Sequence, residues 1–130
     1  MMKNENGHTL LELVFVIVLV GIAFPGLLAF FTNSMEDSIK NEVIARAIVL
    51  AQGKMEQITT DKHEPGRGIT FIKIAGQYPT ETIDQFVRTV TVRDLTISGV
   101  VGVEVIVSIS HPLMTNDYTL THFFTNHTVY

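Results

Sequence analysis

The hydrophobic and polar positions divide the chain into three stretches. From Leu13 to Met35 no residue carries a charge, and most side chains are aliphatic or aromatic. A helix needs about 20 mostly apolar residues to cross a bilayer, so this stretch predicts a membrane-spanning helix. Over residues 36–60 the apolar positions recur at helical spacing, and from residue 61 onward they alternate in short runs between turn residues.

The second stretch has the two faces of an amphipathic helix. Its apolar positions are Ile39, Val43, Ile44, Ile48, Ala51, Met55 and Ile58. Its charged positions, which occupy much of the opposite side, are Glu36, Asp37, Lys40, Glu42, Arg46, Lys54 and Glu56. Because no stop signal separates this stretch from the apolar one, we predict a single helix from about Thr9 to about Thr59.

The third stretch predicts an antiparallel meander with one face packed on the amphipathic half of the helix. Turn residues fill Asp61–Gly68. The runs with strand-like alternation are Ile69–Ala75, Gln85–Leu95, Val100–Ser110 and Tyr118–Thr125. The clearest is the third, which places on one face Val101, Val103, Val105, Val107 and Ile109. A domain of about 70 residues has a modest core of its own, so we expect the helix to complete that core in an α+β fold.

Gly21 and Pro25 interrupt the apolar stretch. A proline has no N–H for the carbonyl four residues earlier, and here that carbonyl belongs to Gly21. We therefore predict a hinge between these two residues, where the helix kinks or loosens. The alternative is an ordinary kink of the kind that membrane helices tolerate.

Composition excludes several classes of function. The net charge is −4, from 13 acidic and 9 basic residues without a basic block, which argues against a nucleic-acid partner. Without cysteine, the chain has no disulfide, no thiolate metal site and no thiol nucleophile. No serine lies in a nucleophile elbow, and no glycine-rich phosphate loop is present. We predict a protein that is not an enzyme and needs no cofactor or metal.

Glu12 is a carboxylate at the very start of the apolar stretch. A charge in a membrane-spanning helix costs about 2.5–3.5 kcal/mol on insertion scales, so such residues usually have a partner. Cleavage after Gly7 would create an α-amino group on His8, and this ammonium in one chain could pair with Glu12 of a neighbour. The alternative is that Glu12 lies at the interface and reaches the headgroups.

The segment from Gly7 to Val14, Gly-His-Thr-Leu-Leu-Glu-Leu-Val, resembles the N-terminal methylation motif of type IV pilins and type II secretion pseudopilins. The resemblance implies cleavage after Gly7 by prepilin peptidase, N-methylation of His8 and a docking role for Glu12 in assembly. It also implies a type IV pilin-like fold, whose long N-terminal helix forms the filament core. The implied divisions are a leader (1–7), a transmembrane and filament-core half-helix (8–35), an amphipathic half-helix (36–60) and a sheet domain (61–130).

The implied partners are other pilin subunits, prepilin peptidase, an inner-membrane assembly platform and membrane lipid before assembly. The implied location is the bacterial inner membrane, as a single-pass protein with a cytoplasmic N-terminus, and then a periplasmic or extracellular filament. His8 stands where the family usually has Phe, and Pro25 lies slightly earlier than the family's common proline, whereas Gly21 is in register. The segment Leu50–Ile58 resembles the Ala-Gln-x-x-Met-Glu-x-Ile stretch of minor pilins and favours a minor subunit.

Three other interpretations of the sequence stay open at this point. One is a pseudopilin of a type II secretion or DNA-uptake system. Another is a signal-anchored binding domain that does not polymerise. A third, less favoured, is an exported enzyme with an uncleaved anchor. Only the second and the third would lack a mature N-terminus at His8.

Overall fold

The computed structural model describes the backbone of residues 6–125 and the side chains of residues 10–125. The helices are α1 (Asn6–His63) and α2 (Gly68–Ile72), and the strands are β1 (Glu81–Ile83), β2 (Phe86–Ile97), β3 (Val100–Ser110) and β4 (Tyr118–Thr125). The strands form one antiparallel sheet in the order β1-β2-β3-β4. The predicted α+β class and the antiparallel meander are confirmed.

The chain divides into two compact units, Met1–Ile39 and Lys40–Tyr130; we call the second unit the head. Helix α1 supplies the first unit and one wall of the head, and it is slightly longer at both ends than predicted. It continues past Thr59 to His63, and the hydroxyls of Thr59 and Thr60 donate within it to the carbonyls of Met55 and Glu56, at 2.8 and 3.0 Å. Lys62 and His63 occupy its last turn, where positive charge is favourable.

The core of the head lies between α1 and one face of the sheet. Alternate residues of each strand point to this face. The buried residues of α1 follow helical spacing: Val43, Ala47, Ala51, Met55 and Ile58. The buried residues of β3 are Val103, Val105, Val107 and Ile109, as the alternation predicts. The small side chains of Ala47 and Ala51 are fully buried in this layer.

The alternation also places Val101 on this buried face, but Val101 is 67% exposed. Within the described residues, Val101 pairs with Thr96 of β2, and the last described pair of β3 with β4 is Gly102↔Thr125.

The prediction of a strand at Ile69–Ala75 is wrong. The segment forms α2 followed by a turn, with Ile72 fully buried and Ile69 packed against the core. Residues at i and i+3 share one side of a helix, so the same apolar pattern buries Ile72 fully and Ile69 partly from one short helix. Strand β1, which comes later and has 3 residues, was not predicted.

Two tight hairpin turns set the register of the sheet. The β1–β2 turn has Asp84 and Gln85 at φ 47° and 69°, and the β2–β3 turn has Ser98 and Gly99 at φ 51° and 81°. Positive φ at both central residues matches the twist of the flanking strands. Gln85, predicted as the first residue of a strand, is thus a turn residue, and β2 begins at Phe86.

Strand β4 forms one edge of the sheet, and within residues 6–125 no strand pairs with its outer side. None of its 8 residues is charged. The Phe123 ring covers Gly102 of β3, where an added Cβ would lie 2.5 Å from Cζ of Phe123 and 2.5 Å from the carbonyl oxygen of Phe124. The glycine at position 102 therefore makes room for an aromatic ring on the outer face.

Candidate functional site

The apolar part of α1 exposes its side chains in every direction. All side chains from Leu10 to Glu42 are exposed, and Leu11, Ile22 and Phe30 are 72%, 76% and 68% exposed. A core helix of a soluble protein would bury such residues, whereas no residue of the most apolar window of α1 is buried. This helix is long and apolar enough to span a membrane.

The polar group of Thr32 inside this segment is satisfied by the helix itself. Its hydroxyl donates to the carbonyl oxygen of Leu28 at 2.9 Å. In hydrocarbon each polar group must find its partner within the protein, so this threonine is compatible with a lipid surrounding.

Glu12 has no counter-charge along α1. Among the side chains of residues 10–125, no cation lies within ion-pair distance of its carboxylate. The next Lys or Arg in the sequence is Lys40, which at 1.5 Å per residue is about 42 Å further along the helix. A partner for this carboxylate would have to come from the first residues of a chain or from another molecule.

The other predicted site residues lie in the same helix. Gly7 and His8 belong to its first turns, but their side chains lie outside the described ones, and their cleavage and methylation stay predictions. Helix α1 is continuous through Gly21 and Pro25, and no other atom lies within 4 Å of a Cβ placed at Gly21. The hinge between these two residues stays a prediction.

The head contains an ionic cluster that the sequence pattern does not reveal. Lys54, assigned to the polar side of the helix, is only 3% exposed. Its Nζ lies 3.1 Å from Oε1 of Glu81 and 3.2 Å from Oε1 of Gln57, and 5.4 Å from the centre of the Tyr78 ring. The buried lysine therefore ties α1 to the short edge strand β1.

Glu81 is shared by two cations. Arg88 donates from Nε to Oε2 of Glu81 at 2.8 Å, and from Nη1 to the carbonyl oxygen of Leu50 at 3.2 Å. The hydrogen bonds from Arg88, reinforced by Lys54 and opposed by partial burial, hold the pKa of Glu81 below its usual range. A carboxylate held ionised between two cations is a poor proton acceptor, so the cluster fastens β1 and does not resemble an acid–base site.

A second cluster closes the loop between α1 and α2. Arg67 Nη1 lies 2.7 Å from Oδ1 of Asp61 and 2.5 Å from Oε2 of Glu64, and the Tyr78 hydroxyl donates to Oδ2 of Asp61 at 2.9 Å. Burial, then the bond to Asp61, raise the pKa of Tyr78. The loop carboxylates thus bind a guanidinium, and no group of three metal-ligating side chains occurs among the residues that the structure describes.

Comparison with known proteins adds no relative from which a function could be transferred. No protein-family model, no curated protein and no solved structure matches this chain. A functional assignment must therefore come from the exposed apolar helix and from the residues at its start.

Proposed function

We propose that this chain is a prepilin: a structural, minor subunit of a type IV pilus that is cleaved after Gly7 and assembled through α1. The observation that carries this proposal is the first half of α1. It is uncharged from Leu13 to Met35 and unburied, it begins with the single carboxylate of Glu12, and it continues without a break into the wall of the head.

The apolar half of α1 suits a subunit that must leave the membrane. In lipid its side chains contact acyl chains, and in a filament they contact equivalent helices from other subunits. Lipid tails are as apolar as leucine, so this exchange has almost no hydrophobic driving force. The pairing of polar groups then decides the register between neighbouring α1 helices. The partner that we assign to Glu12 is the α-amino group on His8 of a neighbouring subunit.

The experiment that tests the proposal is mass spectrometry of the mature protein, purified from membranes of cells that make the full chain and its assembly machinery. We expect a chain that starts at N-methylated His8. A Gly7→Val variant should retain residues 1–7, because the peptidase requires the glycine in the motif. A matched Gly53→Val variant, changed within α1 far from the cut, should be processed normally.

An intact N-terminus in the unsubstituted protein would overturn the proposal. It would favour the second candidate, a signal-anchored binding domain that does not polymerise. A processed chain found only in short periplasmic assemblies would instead favour a pseudopilin.

A further inference from the structure

Within residues 6–125, the outer side of β4 is an unpaired backbone edge. The 8 residues of β4 pair with β3 in an unbroken register, from Gly102↔Thr125 to Ile109↔Tyr118, so no bulge interrupts the strand. In an antiparallel ladder alternate residues direct their N–H and C=O groups to opposite sides, so about half of the backbone groups of β4 point away from the sheet. These groups can bond another strand.

Strand β4 lacks the features by which proteins protect a sheet edge. Such features are short strands, charged side chains, prolines and bulges. Its sequence, Tyr-Thr-Leu-Thr-His-Phe-Phe-Thr, has no acidic residue, lysine, arginine, proline or glycine. Threonine and aromatic residues favour strands, so β4 keeps the extended conformation that a neighbouring strand needs.

The opposite side of the sheet does have these features. Strand β1 has only 3 residues, and its Glu81 forms ion pairs with side chains of α1 and β2. Beyond β1, residues 72–78 and the middle of β2 line one cavity, and Nζ of Lys73 lies 2.7 Å from Oδ1 of Asp94. One side of the sheet is therefore short, charged and flanked by a loop, whereas β4 offers a long neutral edge.

The side chains of β4 define the kind of strand that fits beside it. On the face that contains the core lie Tyr118, Leu120, His122 and Phe124. On the outer face lie Thr119, Thr121, Phe123 and Thr125. Side chains that face each other on adjacent strands are about 4.5–5.5 Å apart, so a charged residue opposite β4 would find no counter-charge there. The segment that fits is uncharged, with apolar residues on the core side.

We propose that β4 is a docking edge that accepts an uncharged, extended segment of another protein as a fifth strand of the sheet. In this mode of recognition main-chain hydrogen bonds supply the affinity, and alternate side chains supply the selectivity. The described residues of the chain offer no such segment, because β3 pairs on both sides and β1 has 3 residues. The contact involves the head alone, so the inference goes beyond the proposed function and does not depend on it.

The probe is a synthetic peptide that copies Val103–Ser110 with Glu104→Thr, because β3 already pairs with the inner side of β4. It is added to the full chain in lipid discs that hold one copy each, and hydrogen exchange of residues 118–125 is measured. With peptide at about ten times its dissociation constant, the free fraction of the chain falls about elevenfold, so we expect exchange of the outward amides to slow about tenfold.

Two controls test whether the contact is made by the backbone and at β4. The same peptide, N-methylated at two adjacent central residues, has neither edge intact and should not protect β4. Thr121→Lys places on the edge a residue that proteins use to protect edges, and it should weaken peptide binding several-fold. Thr91→Lys should leave binding unchanged: Thr91 and Thr121 are both exposed and both pair with Ile106 of β3, but Thr91 is not on β4.

Peptide-dependent protection of residues 118–125 that Thr121→Lys weakens and Thr91→Lys does not would support the docking edge. Absence of protection up to about 100 μM peptide, or equal protection by the methylated peptide, would overturn it. Protection without peptide in one-copy discs would mean that another part of the chain covers β4. Protection without peptide only in discs with two copies would mean that a second copy does, and either result also overturns the proposal.

Discussion

At the scale of single residues, Glu81 is the carboxylate that forms ion pairs with two cations of the head, Lys54 and Arg88. Its side chain is 33% exposed, whereas that of Lys54 is 4% exposed. Loss of one partner of a buried pair costs about 3–5 kcal/mol because it leaves a buried charge unpaired. For Glu81→Gln we expect a loss of about 2 kcal/mol, smaller because the carboxylate is partly hydrated.

Lys54→Met is the matched comparison for Glu81→Gln. It removes the buried charge and keeps an unbranched side chain in its place, so we expect a change within about 1 kcal/mol. Hydrogen exchange of the β3 amides in detergent-solubilised full chain measures both changes, since core strands report the global stability. Equal losses for the two variants would contradict the view that Glu81 compensates a buried cation.

The same carboxylate makes the head sensitive to acid. Its pKa in the folded head is below its ordinary value of 4.5, so its stabilising contribution is complete above that value. This contribution is lost as the pH falls through the folded-state pKa. We expect the exchange-derived stability of the head to fall below about pH 4.5, and to fall less steeply in Glu81→Gln; parallel curves would refute the assignment.

Gly102 and Gly53 should respond to alanine in opposite ways. A Cβ at position 102 would lie 2.5 Å from the Phe123 ring, whereas at position 53 no other atom lies within 4 Å. We expect Gly102→Ala to cost about 1–3 kcal/mol through overpacking. Gly53→Ala, in the middle of α1, should gain about 0.5–1 kcal/mol. Thermal unfolding of the two variants in one detergent checks both signs, and a neutral Gly102→Ala would contradict the packing.

The burial of Lys54 could have been predicted from the sequence, but the residues with which it pairs could not. Lys54 lies three residues after Ala51 and four before Ile58, a spacing that places it on the buried side of the helix. The identity of its partner depends on β1, whose 3 residues give too short a pattern to predict.

At the scale of elements, the β1–β2 turn stores local strain. Gln85 has a φ of 69°, a conformation that glycine adopts freely and that costs other residues about 1 kcal/mol or more. We expect Gln85→Gly to stabilise the head by about 1 kcal/mol, because it relieves the strain and leaves the Asp84–Arg46 ion pair in place.

The control for Gln85→Gly is Thr89→Gly, at an exposed position within β2. There, glycine only weakens the strand, by about 0.5–1 kcal/mol. Thermal unfolding compares the two variants. If both lose stability, Gln85 is not strained.

Long elements could be predicted from their patterns, and short ones could not. The bounds of β3 and β4 agree with the predicted ranges, because each has enough alternating positions to exclude a helix. The pattern of Ile69–Ala75 is compatible with either structure. The core decides between them, because α2 turns both Ile69 and Ile72 toward it.

At the scale of the whole molecule, Glu12 should control assembly without affecting the head. A charge pair at 4 Å contributes about 4 kcal/mol at an effective dielectric constant of 20, and a third of that changes an equilibrium tenfold. We therefore expect Glu12→Gln to lower incorporation into sheared filaments at least tenfold. Glu36→Gln, at the charged end of the apolar stretch, should incorporate normally; normal incorporation of Glu12→Gln would refute the docking role.

The predicted site is local in the sequence, and the ionic cluster of the head is not. Gly7, His8 and Glu12 lie within six consecutive positions, so a short motif is enough to identify them. Lys54 and Glu81 are 27 positions apart in the sequence and meet only in the folded head. That relation depends on the strand register, which no short pattern contains.

The uncharged edge strand β4 would behave differently in a chain that α1 holds in a membrane and in a chain that is free in solution. In solution, two free edges of this kind can join into one larger sheet about a two-fold axis perpendicular to it. That axis would reverse the direction of the second copy's helix, because α1 runs alongside the strands from the end near Tyr118 to the end near Phe124. Two chains inserted in one bilayer with the same topology cannot adopt this arrangement. Insertion in the membrane would therefore prevent two copies from aggregating through their β4 edges.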